Sequence, residues 1–304
     1  MNKVDKKKMS EWLQYGIIAA ATISLGVAGG IIIKRKFGGE EITYSGFDPE
    51  AFKADGAALL KEYEKNPKKN FTPAEKVCIG LEKYKRQENS YCVSIGLADT
   101  IVKQTIRNAQ IKNGSSYFEE QISRSSMVSM ANRVTQKGEE VKMYKGKATG
   151  DEKGDYPKEY TLYKPEDYKT TYGKTPDEMF IYIISNKTVN LNKCNESEKK
   201  GKIKIILDLD KDIATYYYKI QMKGMSNLAG LPVFEYVKLT YTFDSKMTLL
   251  HMKVDEKYKA SMAGVTATII NDIDNYYFGG KKIKIPGLNE SLNYSKLKGE
   301  TSYE

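Results

Sequence analysis

The chain has 304 residues and a formal net charge of +10, with one histidine, one tryptophan and three cysteines. Seven of the 49 basic and two of the 39 acidic side chains fall before residue 37, which leaves 42 against 37 behind it, interleaved as on a solvated surface. Only five residues are arginine, the better reader of phosphate and guanine, so no nucleic-acid partner is expected, and three cysteines with one histidine complete no Cys/His metal site.

Residues 16–33, "GIIAAATISLGVAGGIII", carry no charge. At about 1.5 Å per helical residue they reach roughly 27 Å, close to the apolar thickness of a bilayer. Trp12 and Tyr15 stand at one end and Lys34, Arg35 and Lys36 at the other, the residue types that mark a membrane interface. A cleaved signal peptide has a shorter apolar run and a small-residue cleavage site, whereas a basic triplet ends this run. The pattern predicts an uncleaved transmembrane helix at 16–33, between a basic cytoplasmic tail, 1–15, and a connector, 34–47. A short tail ahead of a long polar domain is held inside, which places the rest of the chain outside the cytoplasm on a single-pass cell-membrane anchor. Gly26 and Gly30 are spaced to let a second span approach closely.

Two helices come next. In "DPEAFKADGAALLKEYEKNP" Asp48 reads as the N-cap, Pro49 as the first helical residue and Asn66-Pro67 as the stop, with Phe52, Leu59, Leu60 and Tyr63 on one face. In "TPAEKVCIGLEKYKRQ" Thr72 and Glu75 form a capping box ahead of a stripe of Ala74, Val77, Cys78, Leu81 and Tyr84. Both stripes read as core contacts.

Beyond Ser90 the period falls to two. Tyr91, Val93, Ile95 and Leu97 alternate with small or polar residues, and the phase slips near Asp99, which predicts one long strand bulging there and continuing through Val102 and Ile106. Asn113-Gly114 predicts a type I′ hairpin turn, followed by a return strand with Phe118, Ile122, Val128, Met130 and Val134 on one face. Residues 146–177 read as a long surface loop. Strands are predicted at 179–184, 202–209, 214–223, 233–243, 247–259 and 265–273, the last three forming an antiparallel meander. An extracytoplasmic domain is thus expected over 48–288, and a polar, frayed tail over 289–304.

Two helices ahead of eight or nine mostly antiparallel strands make an α+β domain, its helices covering one face of one broad, curved, half-barrel-like sheet. This order over roughly residues 72–278, with "TYTFDSKMTLLHMKVDEKY" its most suggestive piece, resembles the half-barrel domains of lipoprotein-localisation carriers and related extracytoplasmic lipid-binding lipoproteins. The resemblance implies strands curved around an apolar cavity. It carries over no functional residue, and the spanning anchor departs from carriers that shuttle freely.

Asp208, Asp210 and Asp212 occupy the first, third and fifth places of a calcium loop, but Ile213 and Lys219 stand where Gly and a bidentate Glu are required, so the stretch reads as an acidic hairpin. His251 shares a solvated strand face with Lys253, Asp255 and Lys257, and Asp255 and Glu256 point to opposite faces. No nucleophile and base can be paired, and no glycine-rich phosphate loop follows a strand. Cys78 and Cys92 stay open as a disulfide pair. The expected function is non-catalytic binding, without cofactor or metal: an apolar or lipid-like ligand against the concave sheet, lined by Tyr216, Tyr218, Met222, Met252 and Tyr258. The alternative is a protein-interaction module of a cell-envelope assembly.

Overall fold

The computed structural model describes residues 48–299 except 101, 127, 128, 226, 227, 263, 264 and 289. The predicted span, the flanking Trp12, Tyr15, Lys34, Arg35 and Lys36, and Val128 lie outside the described residues. Among the described residues no helix is long and apolar enough to cross a membrane.

The fold is α+β, built on one large, curved, open antiparallel sheet. Six strands run as a meander: β1 (Asn89–Asp99), β2 (Gln104–Asn113), β3 (Ser116–Arg124), β4 (Ser129–Lys137), β5 (Glu140–Gly150) and β6 (Lys153–Asp155). The short β7 (Thr161–Tyr163) also pairs with β5. A second meander comprises β8 (Asn195–Lys199), β9 (Lys202–Asp208), β10 (Val233–Asp244), β11 (Leu249–Met262) and β12 (Val265–Gly279). The two join where β1 pairs with β12. The outer strand β8, "NESEK", is exposed throughout, a charged edge that discourages pairing with another chain.

Helices cover the two ends of the concave face. A 3₁₀ turn at Pro49–Phe52 precedes α1 (Gly56–Lys65) and α2 (Pro73–Lys85). The first predicted helix is therefore split: Asp48 caps only the 3₁₀ turn, and Asp55 caps α1 through a 2.9 Å bond from Ala58 N. The capping box of α2 forms on both sides, with Thr72 N donating to Glu75 Oε2 at 2.8 Å and Glu75 N to Thr72 Oγ1 at 3.2 Å. Helix α2 lies on β9 to β11, and at Gly80 any Cβ would overlap the Phe243 ring, so only glycine permits this approach. At the other end α3 (Pro165–Tyr172) and α4 (Tyr216–Met225) cover β4 and β5, with Met130, Val134, Met143, Tyr172 and Met225 in one cluster. Gly173, at φ +78°, ends α3 against the backbone of Tyr217.

Several expectations are corrected. The chain turns after Asp99 into a second strand rather than bulging through it. The β2–β3 turn is Gly114-Ser115, with positive φ at Gly114 alone, because Asn113 still pairs with Ser116. The return strand is two strands, so Phe118 and Ile122 face one side while Met130 and Val134 face the other. Residues 146–177 hold the end of β5, then β6, β7 and α3. Residues 179–184 form no ladder and cross over the sheet as an irregular segment. Residues 214–223 lead into and form a helix, not a strand: Asp210 Oδ1 accepts from the backbone of Asp212 and Ile213 and turns the chain into α4, whose buried positions, Lys219, Met222 and Met225, follow helical spacing from the buried Thr215 just before it. Strand β8 carries no apolar alternation and was not expected.

Both faces of the sheet are covered, not one. On the convex side Tyr91, Val93, Ile111, Phe118 and Ile122 pack under the end of the chain, where Leu292 and Tyr294 are buried and residues Tyr294–Gly299 form α5. Residues 290–299 are thus docked rather than frayed. Arg133 holds this strap. It is 2% exposed, faces Glu120 across the β3–β4 pair at 2.7 Å, stacks on Tyr156, and donates to the carbonyls of Gly287, Leu288 and Glu290.

Candidate functional site

Between the two helix-covered ends the middle of the concave face stays open beneath residues 174–184. A cavity of about 140 Å³ lies there, floored by β1, β2, β3, β11 and β12 and roofed by that segment and α4. Its floor is set by register. Asn275 of β12, Ser94 of β1, Asn108 of β2 and Gln121 of β3 are direct partners across successive strands, and Asn132 of β4 continues the row. At about 4.8 Å per strand the four cavity residues span roughly 14 Å. An apolar row, Val254, Ile273 and Ile106, runs along one side. Tyr277, Cys92, Gln110 and Glu119 run along the other.

The row is only partly satisfied internally. Ser94 Oγ donates to Asn275 Oδ1 at 2.7 Å, and Asn275 Nδ2 to the Met252 carbonyl at 3.0 Å. Asn132 Nδ2 is turned to the Met225 sulfur at 3.7 Å. Asn108 Oδ1 is buried with no partner. Glu119 is paired with Lys174 at 2.9 Å, both nearly buried. Cys92, deeply buried, has its thiol pushed up to about 12 and is uncharged.

Behind the aromatic wall lies a second polar cluster. Glu256, on the concave face of β11, is fully buried without a cationic partner. Its carboxyl accepts from Tyr218 Oη at 2.9 Å, Asn271 Nδ2 at 2.8 Å and Tyr182 Oη at 3.2 Å. Burial raises its pKa to about 7 against those three bonds, which lower it. Tyr182 and Tyr218 both line the cavity, so this carboxyl fixes the wall's hydroxyls and does not itself line the cavity.

Of the five lining residues read from the sequence, Tyr218 and Met252 meet at the cavity. Met222 and Tyr258 are core residues, Tyr258 packing on Phe234, and Tyr216 meets Tyr217 edge to face. Tyr216, Tyr218 and Met222 approach from a helix above the sheet rather than from a strand of it. His251 lies on the convex side, its Nε2 2.8 Å from Asp274 Oδ1, and burial lowers its pKa despite that partner. Asp255, on the same side, accepts from Tyr236 Oη at 3.0 Å. Cys78, Cys92 and Cys194 are free thiols. Among the described residues no three acidic, His or Cys side chains gather closely enough to hold a metal ion, and Asp212 instead pairs with Lys219 at 3.0 Å.

The amide row was missed because the alternation was read for apolar residues. In β2, Gln104, Asn108 and Gln110 share one parity with Ile106, a polar face in a strand partly buried on both sides. No family model matches this chain, and no curated protein does either.

Proposed function

We propose that this chain is a non-catalytic binding protein, tethered to the cell membrane through residues 16–33, whose extracytoplasmic domain holds a small amphipathic ligand on its concave sheet. One observation supports it most: a central, roofed cavity whose floor sets a row of uncharged amides beside a row of apolar side chains. Sites for small ligands combine apolar walls with a few convergent polar groups in this way. At roughly 30 Å³ per water, about 140 Å³ holds the equivalent of four or five waters, which suits one ring or a branched end and not a whole acyl chain. The lipid-like ligand expected from the sequence is therefore narrowed to a molecule with a compact polar end. A broad, curved antiparallel sheet is the feature in common with lipoprotein-localisation carriers.

The test is native mass spectrometry of the full-length chain, gently extracted from its host into lipid nanodiscs. A co-purifying small molecule supports the reading; a bare chain, at every extraction condition that preserves the fold, overturns it.

A second reading, a protein-interaction module, is favoured by Leu97 and Ile270. These two are 50% and 44% exposed and lie diagonally across the β1–β12 pair on the convex face. Leu97→Lys together with Ile270→Lys would abolish capture of an envelope protein on that reading and leave ligand content unchanged on the first.

A further inference from the structure

We infer that the cavity takes a neutral sugar ring. The inference rests on the binding reading above and names its ligand class.

Charge comes first. The charged side chains lining the cavity are Lys174 and Glu119, and they neutralise each other at 2.9 Å. Among the described residues a phosphate or carboxylate would find no free cation there, and an amine no free carboxylate. An ionic ligand bound there would give up part of its hydration without a partner.

Hydrogen bonding comes next. Asn108, Gln110 and Gln121 each offer a donor and an acceptor, as each hydroxyl of a sugar does. Asn108 Oδ1 has no hydrogen-bond partner among the described residues. An acyl chain would bring no donor and would leave that oxygen and both glutamines dry. A hydroxylated ring can pair with the amides that line the cavity.

The third argument is shape. Phe180 and Tyr182 close the roof above the amide floor, and Tyr277 stands at its side. An aromatic ring presents a negative face, which suits the weakly positive C–H face of a pyranose. The apolar row of Val254, Ile273 and Ile106 can pack against C–H groups of the ring. Room for about one ring completes the fit. The ring can be a free monosaccharide or the terminal residue of a longer glycan.

The experiment uses the full-length chain in lipid nanodiscs, since many detergents carry sugar headgroups. Saturation-transfer NMR is run with glucose, galactose, N-acetylglucosamine, glucose 6-phosphate and decanoate, alongside a glycan array. Transfer to one or more of the three neutral rings is expected, with glucose 6-phosphate failing to displace it. Binding on the array alone supports the same class and assigns the source to a glycan end. Asn108→Ala and Gln121→Ala should each weaken binding about tenfold or more, because a site built for hydroxyls loses most when its polar groups are unpaired. Thermal melting checks the fold of each variant, and the half-buried Gln121 carries the test if Asn108→Ala does not fold. Transfer to decanoate or glucose 6-phosphate without any neutral sugar overturns the sugar assignment and leaves the binding reading in place. A co-purified host molecule with no sugar response does the same. An empty chain that binds no probe overturns both.

Discussion

Replacing Glu256 by Gln should change how the protein's stability depends on pH. In the folded chain burial holds this carboxyl at about 7, against an ordinary value of 4.5. Each pH unit of that gap corresponds to about 1.4 kcal/mol, so the whole is worth on the order of 3 kcal/mol. The folded state binds the proton more tightly, so the unfolded chain releases it first as pH rises. Glu256 therefore favours the fold fully below pH 4.5, and that contribution is lost progressively up to about pH 7. Gln keeps the size and the hydrogen-bonding capacity, with one tyrosine hydroxyl rotating to accept rather than donate. His251 acts in the opposite sense: burial lowers its pKa, so it destabilises the fold as pH falls through the ordinary 6.5. It is present in both proteins and cancels in their difference. Urea unfolding of the full-length parent and Glu256→Gln, followed by circular dichroism from pH 4.5 to 8, measures that difference. The variant should gain about 3 kcal/mol relative to the parent across this range. Parallel profiles would refute the account of a buried, cation-free carboxyl.

Three further outcomes follow from packing and burial. Arg133→Ala should cost about 3–5 kcal/mol by urea unfolding, because it strands Glu120 and releases three strap carbonyls, whereas Arg133→Met with Glu120→Gln should recover much of that loss. Gly80→Ala should lower Tm, since overlap with Phe243 costs about 1–3 kcal/mol and exceeds the helix-propensity gain of about 1 kcal/mol. Iodoacetamide at pH 8 should modify the partly exposed Cys194 first, detected by peptide mass. Cys78 and Cys92 should resist until the protein unfolds, because burial pushes both thiols up to about 12.

What could be read from the sequence was local chemistry with one meaning. Thr72 and Glu75 define the start of α2 because two reciprocal bonds require both residue types at that spacing. The last meander was legible because its strands alternate over long runs and turn at compact polar breaks. Residues 214–223 misled for a physical reason. Tyr216, Tyr218, Ile220 and Met222 alternate, yet Thr215, Lys219 and Met222 fall equally well on one helical face, and the cap at Asp210 decides between them. The convex cover was invisible because the strap is polar except for a few anchors such as Leu292 and Tyr294, and Arg133 grips its backbone rather than its side chains.

The position of the cavity follows from the width of the sheet. Two helix pairs, α1–α2 and α3–α4, cover the ends of the concave face, and over the junction of the two meanders α4 supplies only part of the cover, which leaves a gap. An irregular segment crosses that gap, and unlike a helix it presents no continuous apolar stripe to a strand. A purely structural solution would fill the space with branched aliphatic side chains, as Val254, Ile273 and Ile106 do beside it. Instead the next row holds Ser94, Asn108, Gln121 and Asn275, and one of its oxygens is left unsatisfied. A row that costs stability at the centre of the sheet, while apolar residues fill its flank, is where the fold departs from its own packing rules. Such departures are expected at functional or strained sites.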